Sequence, residues 1–293
     1  MRLFTTFRTI SPQVFNRHFS SQRTTCAKRP YRAALVLIAG GLTTYTFTRP
    51  SQQADNFIPY TLTHKELVSH NLAIFTLRPS TAQQLNYPAD SESKIQSIEI
   101  KQPQLQISRR YTPLPPMSGD EIRLLIRNAV NGEVSSYLHR LPLGVKVHVR
   151  GPVTEFALPQ DVGKVIFIAG GTGIAPALQV VDASSDGMDV LWGCRTLDER
   201  QGAGEMVERY MKAGKNQVSF FVDQEGSIIS PKDVTLRLKG RDASRGLIFV
   251  SGPDRFVEYW AGTKIWRDGR ETQGPLGGCL AKMDLSGWEV VKL

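Results

Sequence analysis

The sequence predicts two domains in series, an antiparallel β-barrel and then an α/β domain with a parallel sheet. They stand behind an N-terminal transit peptide and a single transmembrane helix. Three observations predict this. Short, alternating, strand-like segments broken by Pro and Gly run from Phe57 to Pro152. From about Val162 the rhythm changes to apolar strands alternating with helical stretches, the first strand running into a glycine turn. The excess positive charge is confined to the first 32 residues, ahead of an uncharged apolar stretch.

The leader comes first. The chain has 293 residues and a net charge of +9, but Arg2, Arg8, Arg17, Arg23, Lys28, Arg29 and Arg32 precede the first acid, Asp55. Without those seven the balance is ordinary, so the basicity belongs to the N-terminus and nucleic-acid binding is set aside. Residues 1–30, rich in Arg, Ser and Thr, read as a mitochondrial transit peptide, and "RHFSSQ" at 17–22 resembles a matrix-protease site. A disordered basic tail is the plainer alternative. Residues 33–48 carry no charge and lie between Arg32 and Arg49. As a helix they would rise about 24 Å against a hydrocarbon core of about 30 Å, short enough to need snorkelling arginines. We read them as a transmembrane anchor; the apolar core of a secretory signal is the rival. The positive flank would stay on the matrix side and place residues 50–293 in the intermembrane space.

The barrel is assigned to residues 57–155. Its strands are read at 72–77, 94–100, 105–108, 122–130 and 145–150; in the last, Val145, Val147 and Val149 share one face. His148 on the opposite face takes no role. The boundary falls near 152–163, where "GPVTEFALPQDVG" is rich in turn residues. The α/β domain is assigned to 162–293. "KVIFIA" enters the glycine turn, "APALQVVDA" reads as a helix and 189–196 as the next strand. A helix near 201–213, strands at 217–223 and 246–252, and a helix from about Asp254 follow. Cys26, Cys194 and Cys279 have no CxxC spacing and the five histidines form no zinc motif, so neither a structural metal nor a disulfide framework is expected.

Two motifs carry chemistry. Gly170-Gly171-Thr172-Gly173 follows an apolar strand, and Pro176 opens the next helix, where its missing N–H is not needed. Glycines before a helix N-terminus let a pyrophosphate approach backbone N–H groups. A tight turn without ligand is the plainer reading of that stretch alone. Upstream, "RRYTPLPP" at 109–116 offers a guanidinium for a diphosphate, an aromatic face for a flat ring and a hydroxyl for a ring nitrogen. "NGEVSSYL" at 131–138 places a second helix start, with free N–H groups, within reach of the same diphosphate. Arg109 by itself would more simply be a surface ion pair; the ordered set argues for a ligand.

With these motifs, the chain from about Phe57 resembles the ferredoxin-NADP reductase superfamily, nearest its NADH-cytochrome b5 reductase branch. The resemblance implies FAD, with NAD(P)H as electron donor. It implies that Arg109 holds the FAD diphosphate, that Tyr111 packs on the flavin or its ribityl chain, and that Thr112 sits beside flavin N5. Gly132, Glu133, Val134 and Ser135 match a second FAD segment, and Arg127 falls where the branch carries a lysine near the ribityl or diphosphate. Gly170, Gly171, Thr172, Gly173 and Pro176 match the NAD(P)H pyrophosphate loop. Ser251-Gly252-Pro253 matches a Cys-Gly-Pro segment beside the nicotinamide, so Thr112 and Ser251 are the candidate catalytic residues. With its leader, anchor and tail "GGCLAKMDLSGWEVVKL", the chain also resembles fungal cytochrome c import factors, inner-membrane flavoproteins linked to haem attachment. That resemblance implies haem, or cytochrome c and its haem-attachment machinery, as partner.

Some positions depart from the pattern. Ser251 stands for a cysteine and Ala175 for a threonine that contacts flavin. The chain runs past the usual terminal aromatic; Trp288 is read as a core residue rather than a flavin shield, and Cys279 as a packed rather than a redox thiol. Three functions follow: a haem-directed mitochondrial reductase, a general NADH-cytochrome b5 reductase, or a non-catalytic assembly factor that holds FAD. Arg195 would meet a 2′-phosphate or stay on the surface, so the choice of NADH or NADPH is left open.

Overall fold

In a computed structural model, residues 56–90, 93–184, 186–212, 215–239 and 246–293 are described. The transit peptide and anchor fall outside them. Among the described residues no helix is long and apolar enough to cross a membrane.

The first half is built from β1 (Ile58–Ser69), β2 (Leu72–Pro79), β3 (Lys94–Gln102), β4 (Ile107–Tyr111), β5 (Pro113–Leu114), β6 (Ile122–Arg127), α1 (Glu133–Arg140) and β7 (Lys146–Ala157). The strands form one seven-stranded antiparallel sheet in the order β4-β3-β7-β1-β2-β6-β5. Its two edge strands, β4 and β5, are joined by Thr112 alone. One residue spans only about 3.8 Å between neighbouring Cα atoms, so the sheet must curl until its edges meet. Where a barrel was expected stands this curled antiparallel sheet, with the Arg-Arg-Tyr-Thr stretch on the seam between its edges. Alternation fills the interior: Tyr60, Leu62, Phe75, Leu77, Ile98, Ile100, Leu124, Ile126, Val147 and Val149 form one buried cluster.

The second half contains β8 (Val165–Gly170), a 3₁₀ turn (Gly171–Ile174), α2 (Ala175–Gln179), β9 (Met188–Cys194), α3 (Leu197–Met211), β10 (Gln217–Val222), α4 (Pro231–Leu238), β11 (Gly246–Ser251) and α5 (Asp254–Ala261). A small hairpin, β12 (Ile265–Arg267) and β13 (Arg270–Thr272), and a last strand, β14 (Trp288–Lys292), complete it. The five long strands are parallel in the order β10-β9-β8-β11-β14. Phe167, Val190 and Phe249 face α2 and α3, whereas Ile166, Leu191 and Ile248 face α4 and α5. A sheet covered on both faces requires such continuous apolar strands.

Several expected elements change length. The strand at 105–108 is β4, shifted to 107–111 because Gln106 takes a positive φ of 55° in the preceding turn; Arg109 and Tyr111 therefore lie inside the strand. The strand at 122–130 stops at Arg127, because its partner β2 begins at Leu72; one last bond, Asn128 N–H to Asn71 O at 2.7 Å, reaches the turn before β2. The helix at "APALQVVDA" ends at Gln179: Val180 leaves helical geometry at φ −121°, and two β-branched residues in succession favour that exit. The helix near 201–213 starts earlier, at Leu197, because Thr196 accepts a hydrogen bond from Glu199 N–H as its N-cap. The 145–150 strand runs on to Ala157 and pairs with both β1 and β3.

The described residues form one compact unit. A single apolar cluster crosses the boundary, joining Leu72, Ile74, Ile95, Leu114 and Leu125 to Phe167, Ala175, Trp192 and Phe249. The buried side chain of Gln179 clasps the first half from the second. Its amide nitrogen donates to Gln96 O (3.0 Å) and Pro113 O (2.8 Å), and its carbonyl accepts from Gln96 N–H (2.7 Å). Gly202 of α3 passes so close to the first half that a Cβ there would lie 2.5 Å from Val68 O.

Candidate functional site

The order of the parallel sheet locates the site. Chain order runs outward from β8 through β9 to β10, then jumps back to β11 on the other side of β8. Loops at the carboxyl ends of two such strands diverge and leave a crevice. Gly170–Gly173 lies at the end of β8 and Ser251–Pro253 at the end of β11, so the two motifs flank the switch point. Across from them stands the barrel seam.

All the sequence-derived site residues line one cleft of about 1660 Å³ between these walls. Arg109, Tyr111 and Thr112 come from the seam, Arg127 from the end of β6, and Gly132, Glu133, Val134 and Ser135 from the start of α1. Gly170, Gly171, Thr172, Gly173 and Pro176 supply the opposite wall, with Ser251, Gly252 and Pro253 beside them. Ala175 and Arg195 line it too.

The glycines divide by task. A Cβ on Gly173 would lie 2.3 Å from Ser251 O, and one on Gly170 about 3.1 Å from the Phe256 ring. Both are glycines because protein packs against them. Gly171 differs: it has φ +57°, and the atoms nearest an added Cβ are those of the Arg127 guanidinium, 3.3 Å away. It opens toward the cleft. In α1 the Ser135 hydroxyl is already engaged, donating to Gly132 O (3.2 Å) and accepting from Ala129 N–H (3.2 Å). It closes the turn that aims the first-turn N–H groups, which the helix itself leaves unsatisfied.

Electrostatics favour an anion. Arg109 is exposed and sits 3.8 Å from Glu133, a weak solvated pair that a phosphate can displace. Arg127 is largely buried; Nη1 donates to Glu199 Oε1 at 2.5 Å and Asn71 Oδ1 at 3.1 Å. Its Nη2 is buried with no partner among the described residues. An unpaired guanidinium N–H beside Gly171 is a donor awaiting an oxygen. Burial pushes the Tyr111 phenol up to about 12 even though the Arg109 charge pulls it down, so this ring stays neutral as a flat packing surface. Burial, reinforced by Glu199, pushes the Cys194 thiol up to about 12, so this cleft-lining cysteine stays protonated and unreactive. The orphaned Nη2, the open glycine and the helix start fit the phosphates of a dinucleotide, and the Tyr111 face fits a flat ring.

Residues 59–158 match the family model described as an oxidoreductase FAD-binding domain. Residues 59–158 are similar to the FAD-binding domain of oxidoreductases. The FAD-binding domain thus coincides with the barrel and its seam. NADH-cytochrome b5 reductase 1 of Pyricularia oryzae is 36% identical over 173 residues, 55% of this chain and 55% of that protein. An uncharacterized FAD-binding protein of Schizosaccharomyces pombe is 26% identical over 250 residues, 83% of this chain and 88% of that one. The cytochrome c mitochondrial import factor of Saccharomyces cerevisiae is 27% identical over 167 residues, 48% of this chain and 46% of the factor. The chain therefore spans about half the length of the Pyricularia and Saccharomyces relatives. Among solved structures, the cytochrome b5 reductase domain of Ulva prolifera nitrate reductase superposes with a TM-score of 0.60 at 19% identity. That match covers 81% of this chain and 97% of the algal domain, and it extends the likeness of fold past the FAD-binding domain into the parallel half.

Sequence reasoning missed four contributors. Glu199 is buried on α3 and reaches Arg127 across the boundary; the Thr-x-x-Glu helix start was its signal. Asp223, directly after β10, lines the cleft; it was visible only as the last residue of an expected strand. Lys292 and Leu293, at the chain's end, also line it. Trp288 does not: it packs under Gly246 in the cluster of α4 and α5, as a core residue. Cys279 packs at the edge of the same cluster.

Proposed function

We propose that the chain is a flavin-dependent NAD(P)H oxidoreductase of the cytochrome b5 reductase kind. The observation that carries this is the single cleft of about 1660 Å³ in which the barrel seam and the switch-point loops face each other. In this reading residues 57–155 hold FAD and 162–293 receive the nicotinamide dinucleotide. Arg109, the orphaned Arg127 Nη2 and the first turn of α1 bind the FAD diphosphate. Tyr111 packs on the ring system and Thr112 offers its hydroxyl at the seam. Gly171 and Thr172 admit the donor's pyrophosphate, while Ser251, Gly252 and Pro253 shape the space for the nicotinamide. Bound FAD supplies the chemistry, accepting a hydride from the donor and releasing electrons singly. The residues supply orientation and exclusion of water, which matter more here than acid–base strength.

Asp223 favours NADH. An acidic group after a strand end beside the nucleotide groove bonds a ribose 2′-hydroxyl and repels a 2′-phosphate.

The finer assignment rests on the import-factor relative and the leader. We place residues 1–30 as a transit peptide and 33–48 as an inner-membrane anchor. The catalytic module then lies in the intermembrane space, passing electrons to haem or a haem protein in support of cytochrome c haem attachment. A general b5 reductase and a non-catalytic FAD-bound assembly factor are the competing outcomes.

One experiment orders them. The purified module is titrated anaerobically with NADH and the flavin band followed, then ferric haem, cytochrome c and cytochrome b5 are offered side by side. Bleaching of the band with preference for haem or cytochrome c is the expected result. Preference for cytochrome b5 selects the general reductase, and an unbleached band the assembly factor.

A further inference from the structure

The cleft has a wall that no motif marked. The β12–β13 hairpin carries Trp266, which is 75% exposed yet lines the cleft together with Lys264, Thr272 and Gln273. An isolated indole in water is ordinary, but an exposed indole on the wall of a ligand cleft is an open stacking face.

A two-stranded hairpin is marginally stable by itself in water. Here it is fixed from below. Lys292, next to last in the chain and only 3% exposed, donates Nζ to Thr263 O at 3.0 Å and to Pro275 O at 2.8 Å, on either side of the hairpin. Gln273 accepts from Lys292 N–H at 2.7 Å and donates to Lys292 O at 2.9 Å. Within the hairpin Lys264 pairs with Glu271 at 3.1 Å, and Thr272 Oγ1 donates to Ile265 O at 3.0 Å. Burying an ammonium group is costly unless its protons are taken up by well-placed acceptors. The cost is met at the one place where the hairpin, the end of β14 and the cleft wall converge, since Leu293 beside it also lines the cleft.

We propose that the 265–272 hairpin is a ring clamp, in which Trp266 stacks on a planar heteroaromatic ring of a dinucleotide in the cleft and Lys292 is the positioning residue that holds the hairpin in place. The proposal rests on the functional reading above. The ring belongs to the flavin or to the nicotinamide, and the two leave different traces.

The test compares the wild-type protein with Trp266→Ala, Trp266→Phe, Lys292→Met and the milder Gln273→Ala. Three quantities are read: flavin content after purification, KM against kcat for NADH, and the rate of tryptic cleavage after Arg267. If the ring is the flavin's, Trp266→Ala purifies with reduced flavin content. If it is the nicotinamide, Trp266→Ala raises KM about fivefold or more, the low end for stacking a base on an aromatic side chain, and raises it by more than it lowers kcat. Trp266→Phe restores either property in large part. Lys292→Met, or Gln273→Ala should the first not fold, speeds cleavage after Arg267 and shares the defect of Trp266→Ala. Wild-type flavin content and KM in Trp266→Ala overturn the clamp. A wild-type protein that NADH does not reduce removes the functional reading instead; flavin content then decides the clamp alone.

Discussion

Arg109 and Arg127 show how different two guanidinium groups at one site can be. Arg109 lies in solvent with a carboxylate at 3.8 Å, and little protein structure depends on it. Arg109→Glu should therefore fold with the Tm of the flavin-free wild type but purify colourless, since it turns a phosphate donor into a repelling charge; full yellow absorbance would overturn its role. Asp223 makes the opposite test. Asp223→Ala should raise kcat/KM for NADPH by about tenfold or more relative to NADH, the effect of removing one close like-charge contact of about 1.4 kcal/mol. An unchanged coenzyme ratio would remove it from the ribose site.

Among the elements, the loop from β8 into α2 is tightly constrained. Its glycines were legible as a cradle, but Gly170 and Gly173 answer to Phe256 and Ser251 instead, which only the approach of β11 and α5 reveals. Gly173→Ala should lower stability by about 1–3 kcal/mol through overpacking against a backbone carbonyl. Gly171→Ala should instead cost about 1 kcal/mol for its left-handed backbone and weaken dinucleotide binding more than stability. Equal effects of the two on Tm and on binding would erase the distinction. Local signals found most strands and both glycine-bearing turns of the cleft because each is a contiguous pattern. They missed α4, although Ser230, Pro231 and Asp233 spell a helix start, with the Asp233 carboxylate accepting from Ser230 N–H at 2.8 Å. β12, β13 and β14 escaped because short strands take their identity from pairing partners. β14 pairs only with β11, tens of residues away in sequence. The barrel seam was beyond reach for the same reason, since only the full strand order shows Thr112 joining opposite edges.

At the scale of the molecule, Arg127 and Glu199 fasten the halves. Burial pushes the Glu199 carboxyl up, but hydrogen bonds from Arg127 and from the Arg195 N–H together overcome it and hold the pKa below the ordinary 4.5. A carboxylate depressed by folding contributes stability above its unfolded pKa and loses it as pH falls through the folded value. The latch should thus be intact at neutral pH and weaken in acid below about 4.5. Glu199→Ala strands a buried guanidinium and should cost about 3–5 kcal/mol at pH 7. That penalty should shrink as the pH falls below the ordinary 4.5 and through the folded value, where the wild type loses the same carboxylate. Urea melts of both proteins across that range check it; a pH-independent difference would exclude the ion pair as the cause.

The apolar cluster that crosses the boundary makes the protein indivisible. The flavin-holding half owns Leu72, Ile74, Ile95, Leu114 and Leu125, yet these side chains lie against α2, β8 and β11 rather than inside their own sheet. A chain truncated after Leu158 would expose that whole seam to water and aggregate instead of yielding a small yellow protein. Two walls of one cleft built on a shared core have their spacing set when the chain folds. No hinge then has to close before an electron moves, and turnover should be insensitive to solvent viscosity.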